Sequence, residues 1–146
     1  MASYAELGTY IDRTYKVVRQ DLINRFKSAN IDLTPEQWIV LLKLYKEKFM
    51  FQTDLAEQSF KDKPTVSRIV ELLSKKSFVK KSPDDNDGRK IAISITNTGI
   101  DLVEKAMPIV QESRAKGWEN LSEDEYFTLV SILDKVFNNY LNEKGG

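Results

Sequence analysis

The sequence contains no cysteine and no histidine, and each absence removes chemistry. Without cysteine there is no disulfide, thiolate nucleophile, iron–sulfur cluster or peroxide-sensing thiol, which fits a reducing, cytoplasmic setting. Without either residue a zinc site is not expected, since only carboxylate and carbonyl oxygens remain, and these suit Mg²⁺ or Ca²⁺ better. The longest uninterrupted apolar run is Trp38–Leu42, five residues, against the roughly 20 needed to cross a bilayer, so no membrane partner is expected. The opening residues MASYAELG carry no basic segment and do not read as a signal peptide. A surplus of charge is also lacking: 22 Lys and Arg oppose 22 Asp and Glu in 146 residues. That length sets one domain, 1–146, as the expectation.

Zero net charge counts against nucleic acid only if the charges are evenly spread. Residues 1–60 hold eight basic and eight acidic side chains, but residues 61–81 hold seven basic against two acidic. The balance is restored by residues 82–100, with two against three, and by residues 101–146, with five against nine. Neutrality is therefore a cancellation between a basic middle and an acidic C-terminal third. A local basic patch is what phosphate contact requires.

Most of the chain has helical period. Leu7, Tyr10, Ile11, Tyr15, Val18, Leu22 and Phe26 form one amphipathic stripe that ends near Lys27 to Ile31. A second helix begins at Thr34, with Pro35 at its first position and Gln37 completing a capping box. A short third helix runs from about Gln52 to Gln58. The fourth, capped by Asp62, reaches about Lys76 and puts Val66, Ile69, Val70 and Leu73 on one face. Arg68, Glu71 and Lys75 lie opposite, with Thr65 and Ser67 on the flanks. A short helix, a tight turn and a helix of this character are the layout of a helix-turn-helix.

The period then changes to two. Phe78–Ser82 and Arg89–Ile95 read as the strands of a hairpin around the turn-rich Pro83–Gly88. Helical period resumes after Thr96, with a kink expected at Pro108. The last helix starts from Ser122 with Glu125 at N3 and Leu121 placed to meet Tyr126. Its apolar residues, from Phe127 to Leu141, are too many for one stripe, which calls for deep burial or a partner subunit.

In this order and at this length, these elements resemble the MarR family of bacterial transcriptional regulators. The resemblance is carried by DLAEQ (Asp54–Gln58), KPTVSRIVELL (Lys63–Leu73) and above all DNDGRKIAISITNTG (Asp85–Gly99). The last segment holds an Asp-x-Arg wing motif, Asp87-Gly88-Arg89, and a Thr-x-x-Gly helix start at Thr96 and Gly99. One departure is Ser77, where the family usually has a glycine in left-handed conformation. The resemblance implies a mainly α fold with a small β-hairpin wing: a winged helix-turn-helix over 34–96, flanked by dimerisation helices at 1–30 and 98–143.

On this reading Lys63, Thr65, Ser67 and Arg68 meet double-stranded DNA at the N-terminal end of a helix in the major groove, where arginine pairs with guanine through two hydrogen bonds. From the helix alone, ordinary solvated residues are an equal reading. For Arg89 the resemblance implies entry into the minor groove, whose narrow form concentrates negative potential; Asp84, Asp85 or Asp87 would hold it in position. Lys90 adjoins it, and Lys75, with Lys76, Lys80 and Lys81, forms a diffuse phosphate-facing patch. Tyr15, Trp38 and Tyr45 are candidates to line a pocket for a small aromatic or phenolic effector, with Tyr10, Phe49 and Phe51 nearby, although core packing is the commoner role for such residues. The acidic tip lacks the distal glutamate of a calcium loop. No nucleotide motif or catalytic set is present, so neither enzyme nor cofactor is expected. The expected function is a homodimeric regulator, a repressor, on palindromic DNA; the rival is a winged-helix module that binds protein instead.

Overall fold

The computed structural model describes residues 2–84, 86 and 88–142. The elements in chain order are α1 (Leu7–Ser28), α2 (Pro35–Glu47), β1 (Phe49–Phe51), α3 (Gln52–Gln58), α4 (Lys63–Lys75), β2 (Val79–Pro83), β3 (Ile91–Ile95), α5 (Asn97–Gly117) and α6 (Glu123–Asn142). Two compact units divide at Ser113 and Arg114, within α5.

In the first unit the caps form as the sequence predicts. The Gln37 amide N–H donates to Thr34 Oγ1, and the Thr34 amide donates back to Gln37 Oε1, each at 3.1 Å. Asp62 Oδ1 accepts from the Thr65 amide at 2.8 Å and starts α4. The core gathers Leu22 and Phe26 from α1, Leu41 and Leu44 from α2, Leu55 from α3, Val66, Val70 and Leu73 from α4, Ile93 from β3 and Val103 from α5, all essentially without exposed surface. Burying a Leu, Val or Phe side chain contributes about 1.5–3 kcal/mol, so the four residues that α4 buries fix its inner face.

The hairpin is part of a larger sheet. β1, a strand that the sequence analysis does not predict, pairs antiparallel with β3, so the order is β1-β3-β2. Met50 opposite Ile93 is buried while Phe49 is half exposed, an alternation too short to show as period two in the sequence. The hairpin strands are offset from expectation: β2 extends to Pro83, and β3 starts at Ile91, leaving Arg89 and Lys90 in the loop. The Asp84 amide donates to the Lys90 carbonyl at 2.9 Å and closes that loop.

Ser77 adopts the left-handed conformation, φ 65°, in place of the usual glycine. Its N–H donates to the Ser74 carbonyl and that of Phe78 to the Leu73 carbonyl, each at 3.0 Å. These are the two hydrogen bonds of a Schellman motif, and they enforce the backbone that serine disfavours. Ser77→Gly is expected to raise stability by about 0.5–1 kcal/mol, the relief of a left-handed Cβ less the added chain entropy of glycine. A rise of about 2 °C in Tm checks this; an unchanged or lower Tm contradicts it.

α5 runs unbroken through Pro108. In the second unit the box at the start of α6 closes as expected, with the Glu125 amide donating to Ser122 Oγ at 3.1 Å and the Ser122 amide donating to Glu125 Oε1 at 2.9 Å. Tyr126 has the Trp118 ring edge-on at 5.5 Å, and Trp118 Nε1 donates to the Ser122 carbonyl at 2.9 Å. No described residue of α6 is buried, and Phe127, Ile132, Phe137 and Tyr140 are all exposed. No helix among the described residues is long and apolar enough to cross a membrane.

Candidate nucleic-acid interface

With Val66, Ile69, Val70 and Leu73 facing inward, α4 leaves Lys63, Ser67, Arg68 and Lys75 exposed and Thr65 half-buried. Arg68 Nη2 lies 3.4 Å from Thr65 Oγ1, a long contact that aims the guanidinium back along the helix towards its start. The Asp62 cap uses one free amide of the first turn and is itself held below the ordinary carboxylate range, chiefly by the hydrogen bond from the Thr65 amide.

The four lysines at the end of α4 and the start of the wing, Lys75, Lys76, Lys80 and Lys81, divide into two pairs. Lys76 Nζ donates to the Asp32 carbonyl at 3.1 Å and pairs with its carboxylate at 3.2 Å, tying the end of α4 to the α1–α2 linker. Lys81 pairs with Glu71 across the start of the wing, and this contact lowers the pKa of Glu71. Lys75 and Lys80 remain exposed. The diffuse patch expected from sequence is therefore thinner than the charge count implies.

Arg89 and Lys90 stand in the loop of the wing, just before β3, both exposed. Together with Lys63 of α4 and Phe51, Gln52 and Thr53 of β1 and α3, they line a recess of about 180 Å³. Lys90 Nζ lies 5.2 Å from the centroid of the Phe51 ring, within range of a cation–π contact. Asp85 and Asp87, two of the three aspartates expected to hold Arg89, lie outside the described residues. The fold thus brings Lys63, Arg89 and Lys90 to one place. Sequence reasoning misses the share of β1 and α3, because the only local signal, Phe-Met-Phe before a short helix, says nothing of what it faces.

The three aromatic candidates have different surroundings. Trp38 is 3% exposed and packs edge-on against Phe26 in the core, centroids 6.2 Å apart. Tyr45 is half-buried, and its hydroxyl donates to Glu104 of α5 at 3.3 Å. Tyr15 is 52% exposed on α1. None of them lines the open cavity of about 390 Å³ between α1 and α5, which is bordered by Asp21, Asn24, Arg25 and Glu112.

α1 is clamped to the start of α2 by an ion pair that the sequence does not announce. Arg19 Nε and Nη2 donate to the two oxygens of Glu36 at 2.8 and 2.7 Å. This paired hydrogen bond, more than charge alone, holds the Glu36 carboxyl below its ordinary range, with partial burial opposing it. On the other side of α1, Asp21 accepts from Ser113 Oγ at 2.7 Å and pairs with Arg25 at 2.7 Å.

Comparison with known proteins places this geometry. NicR, an HTH-type transcriptional repressor of Pseudomonas putida, is 24% identical over 133 residues, 91% of this chain and 83% of that protein. S. aureus MepR, solved as a DNA complex, superposes with a TM-score of 0.78 at 27% identity, covering 95% of this chain and 99% of that one. BpsR of Bordetella bronchiseptica, whose DNA binding is regulated by 6-hydroxynicotinic acid, superposes with a TM-score of 0.82 at 23% identity, covering 93% and 96%. The MarR family model matches residues 33–91, from just before the α2 cap to the first residue of β3. That stretch, 59 of the 146 residues, contains both walls of the basic recess, and it is this segment that matches the MarR family.

Proposed function

We propose that the protein is a cytoplasmic homodimeric repressor that binds a palindromic operator and acts by binding alone, with no catalytic step. The observation that carries this reading is the meeting of the α4 N-terminus and the wing cations around one recess, which gives a continuous surface for a major groove and its neighbouring minor groove. In this reading Lys63, Thr65, Ser67 and Arg68 face the major groove, Arg89 the minor groove, and Lys75 and Lys90 the phosphates. The winged helix-turn-helix spans 34–96, and the helices at 1–30 and 98–143 join two copies of a chain that is otherwise one domain. Exposed Leu7, Tyr10 and Ile11 on α1 and the uncovered apolar residues of α6 support that pairing, since apolar surface of this extent marks an interaction site.

Two-fold symmetry then sets two recognition helices on half-sites about one DNA turn apart. Release follows from a small aromatic or phenolic effector that prefers the DNA-incompetent spacing, since a ligand shifts an equilibrium only by its differential affinity. The regulation of BpsR by 6-hydroxynicotinic acid supports an effector of this class. Tyr15 and Tyr45, with Trp38 beneath the surface, are the aromatic residues proposed for it.

Light scattering at micromolar concentration is expected to give about 34 kDa, twice the chain mass of 16.8 kDa. Affinity for a duplex selected from genomic fragments is expected to fall about 10³-fold or more between about 50 and 200 mM salt, as counterions are released from phosphates. A stable monomer rejects the architecture. Failure to retain any duplex at low salt favours the protein-binding module instead.

A further inference from the structure

A helix in the major groove and a wing in the adjacent minor groove stand on opposite sides of a sugar–phosphate strand. The part of the protein between them must therefore face a phosphodiester. In this chain that part is the recess of about 180 Å³ bounded by Lys63 at the start of α4, Thr53 of α3, and Arg89 and Lys90 of the wing loop. We propose that the recess is a seat for one backbone phosphate of the bound duplex, a site that rests on the DNA-binding reading above and adds a specific ligand to it.

Three features favour a phosphate over a base edge. Among the described residues, the lining includes three cationic side chains, Lys63, Arg89 and Lys90, and no acidic one. A phosphodiester carries a full negative charge, whereas a base edge carries none, so three clustered cations match the phosphate better. The lining also includes the apolar side chains of Phe51 and Ile91, which keep part of the recess wall free of water-binding groups, so charge–charge contacts there are less screened than on open surface. Lys90 is already held over the recess, its Nζ 5.2 Å from the Phe51 ring centroid, and that ring is itself braced edge-on by Phe49 at 5.7 Å. A lysine restrained in this way has less rotamer freedom to lose on binding. The seat would also set the distance between groove-reading elements, because one phosphate is gripped from α4 and from the wing at once.

A chemical double-mutant cycle tests the seat. The probe is a duplex of about 24 base pairs, long enough for two half-sites one turn apart, selected by the protein from random sequence. Its phosphates are neutralised one at a time as methylphosphonates, and affinity is measured for the full-length wild type, Lys63→Ala and Lys90→Ala. One linkage in each half-site is expected to cost the wild type about tenfold when neutralised and at least one of the variants less than about twofold, the coupling that marks a direct contact. Equal losses in all three proteins at every linkage overturn the seat and leave DNA binding standing. If the wild type selects no duplex, the DNA-binding reading falls and the seat falls with it.

Discussion

Gly99→Ala is expected to lower stability by about 3 kcal/mol, the upper range for forcing an extra methyl into a packed site. A Cβ at this position would stand 2.2 Å from the Phe78 carbonyl oxygen and 2.8 Å from Ile95 Cγ1. The first of these is backbone, so no side-chain rotation relieves the clash. The carbonyl cannot retreat freely either, because it accepts from the Thr96 amide at 3.0 Å and lies 3.1 Å from the Thr96 hydroxyl. That hydroxyl is also 2.7 Å from the Ser77 carbonyl and accepts from the Gly99 amide at 3.0 Å. Alanine would therefore push the start of α5 away from the turn where α4 hands over to the wing. Thermal unfolding should show Tm lowered by about 6–12 °C for a chain of this size. Gly8→Ala is the control: it lies in α1 with nothing within 4 Å of the added Cβ, so it should gain up to about 1 kcal/mol. Equal behaviour of the two variants would remove the packing explanation.

The second large effect is expected on DNA. Arg68→Ala and Arg89→Ala should each weaken operator binding by about 1–3 kcal/mol, roughly ten- to hundredfold, in a mobility-shift assay. Both side chains are exposed, so the dimer and its stability should be unaffected. The two variants should differ in kind. Loss of Arg68 should relax discrimination at one base pair in each half-site, whereas loss of Arg89 should weaken binding according to the width of the minor groove at the wing. Unchanged affinity in both variants would remove these residues from the interface.

The balance of charge illustrates where sequence reasoning stops. The surplus in residues 61–81 is visible in the composition, but its availability is not. Lys76 is tied to Asp32 and Lys81 to Glu71, partners 44 and 10 residues away, and no local pattern announces either contact. The cations that the structure gathers instead, Lys63, Arg89 and Lys90, come from two separated segments around a phenylalanine of a strand only three residues long.

What the sequence determined by itself was local. The boxes at Thr34–Gln37 and Ser122–Glu125, the Asp62 cap, the buried stripe of α4 and the period-two alternation of the hairpin strands all follow from the spacing of near neighbours in the chain. The family resemblance puts Ser77 where a left-handed glycine is usual, and the structure shows it at φ 65°, held by the two Schellman hydrogen bonds. Tertiary structure decided the rest. β1 exists because β3 supplies its hydrogen bonds from more than forty residues away. Gly99 cannot carry a side chain because the Phe78 carbonyl occupies the space where a Cβ would stand. Trp38, one aromatic among several in the sequence, is committed to the core by Phe26 of another helix. Helix caps and periodicity are encoded in neighbouring residues, whereas pairing, close approach and charge neutralisation depend on which distant segments the buried core brings together.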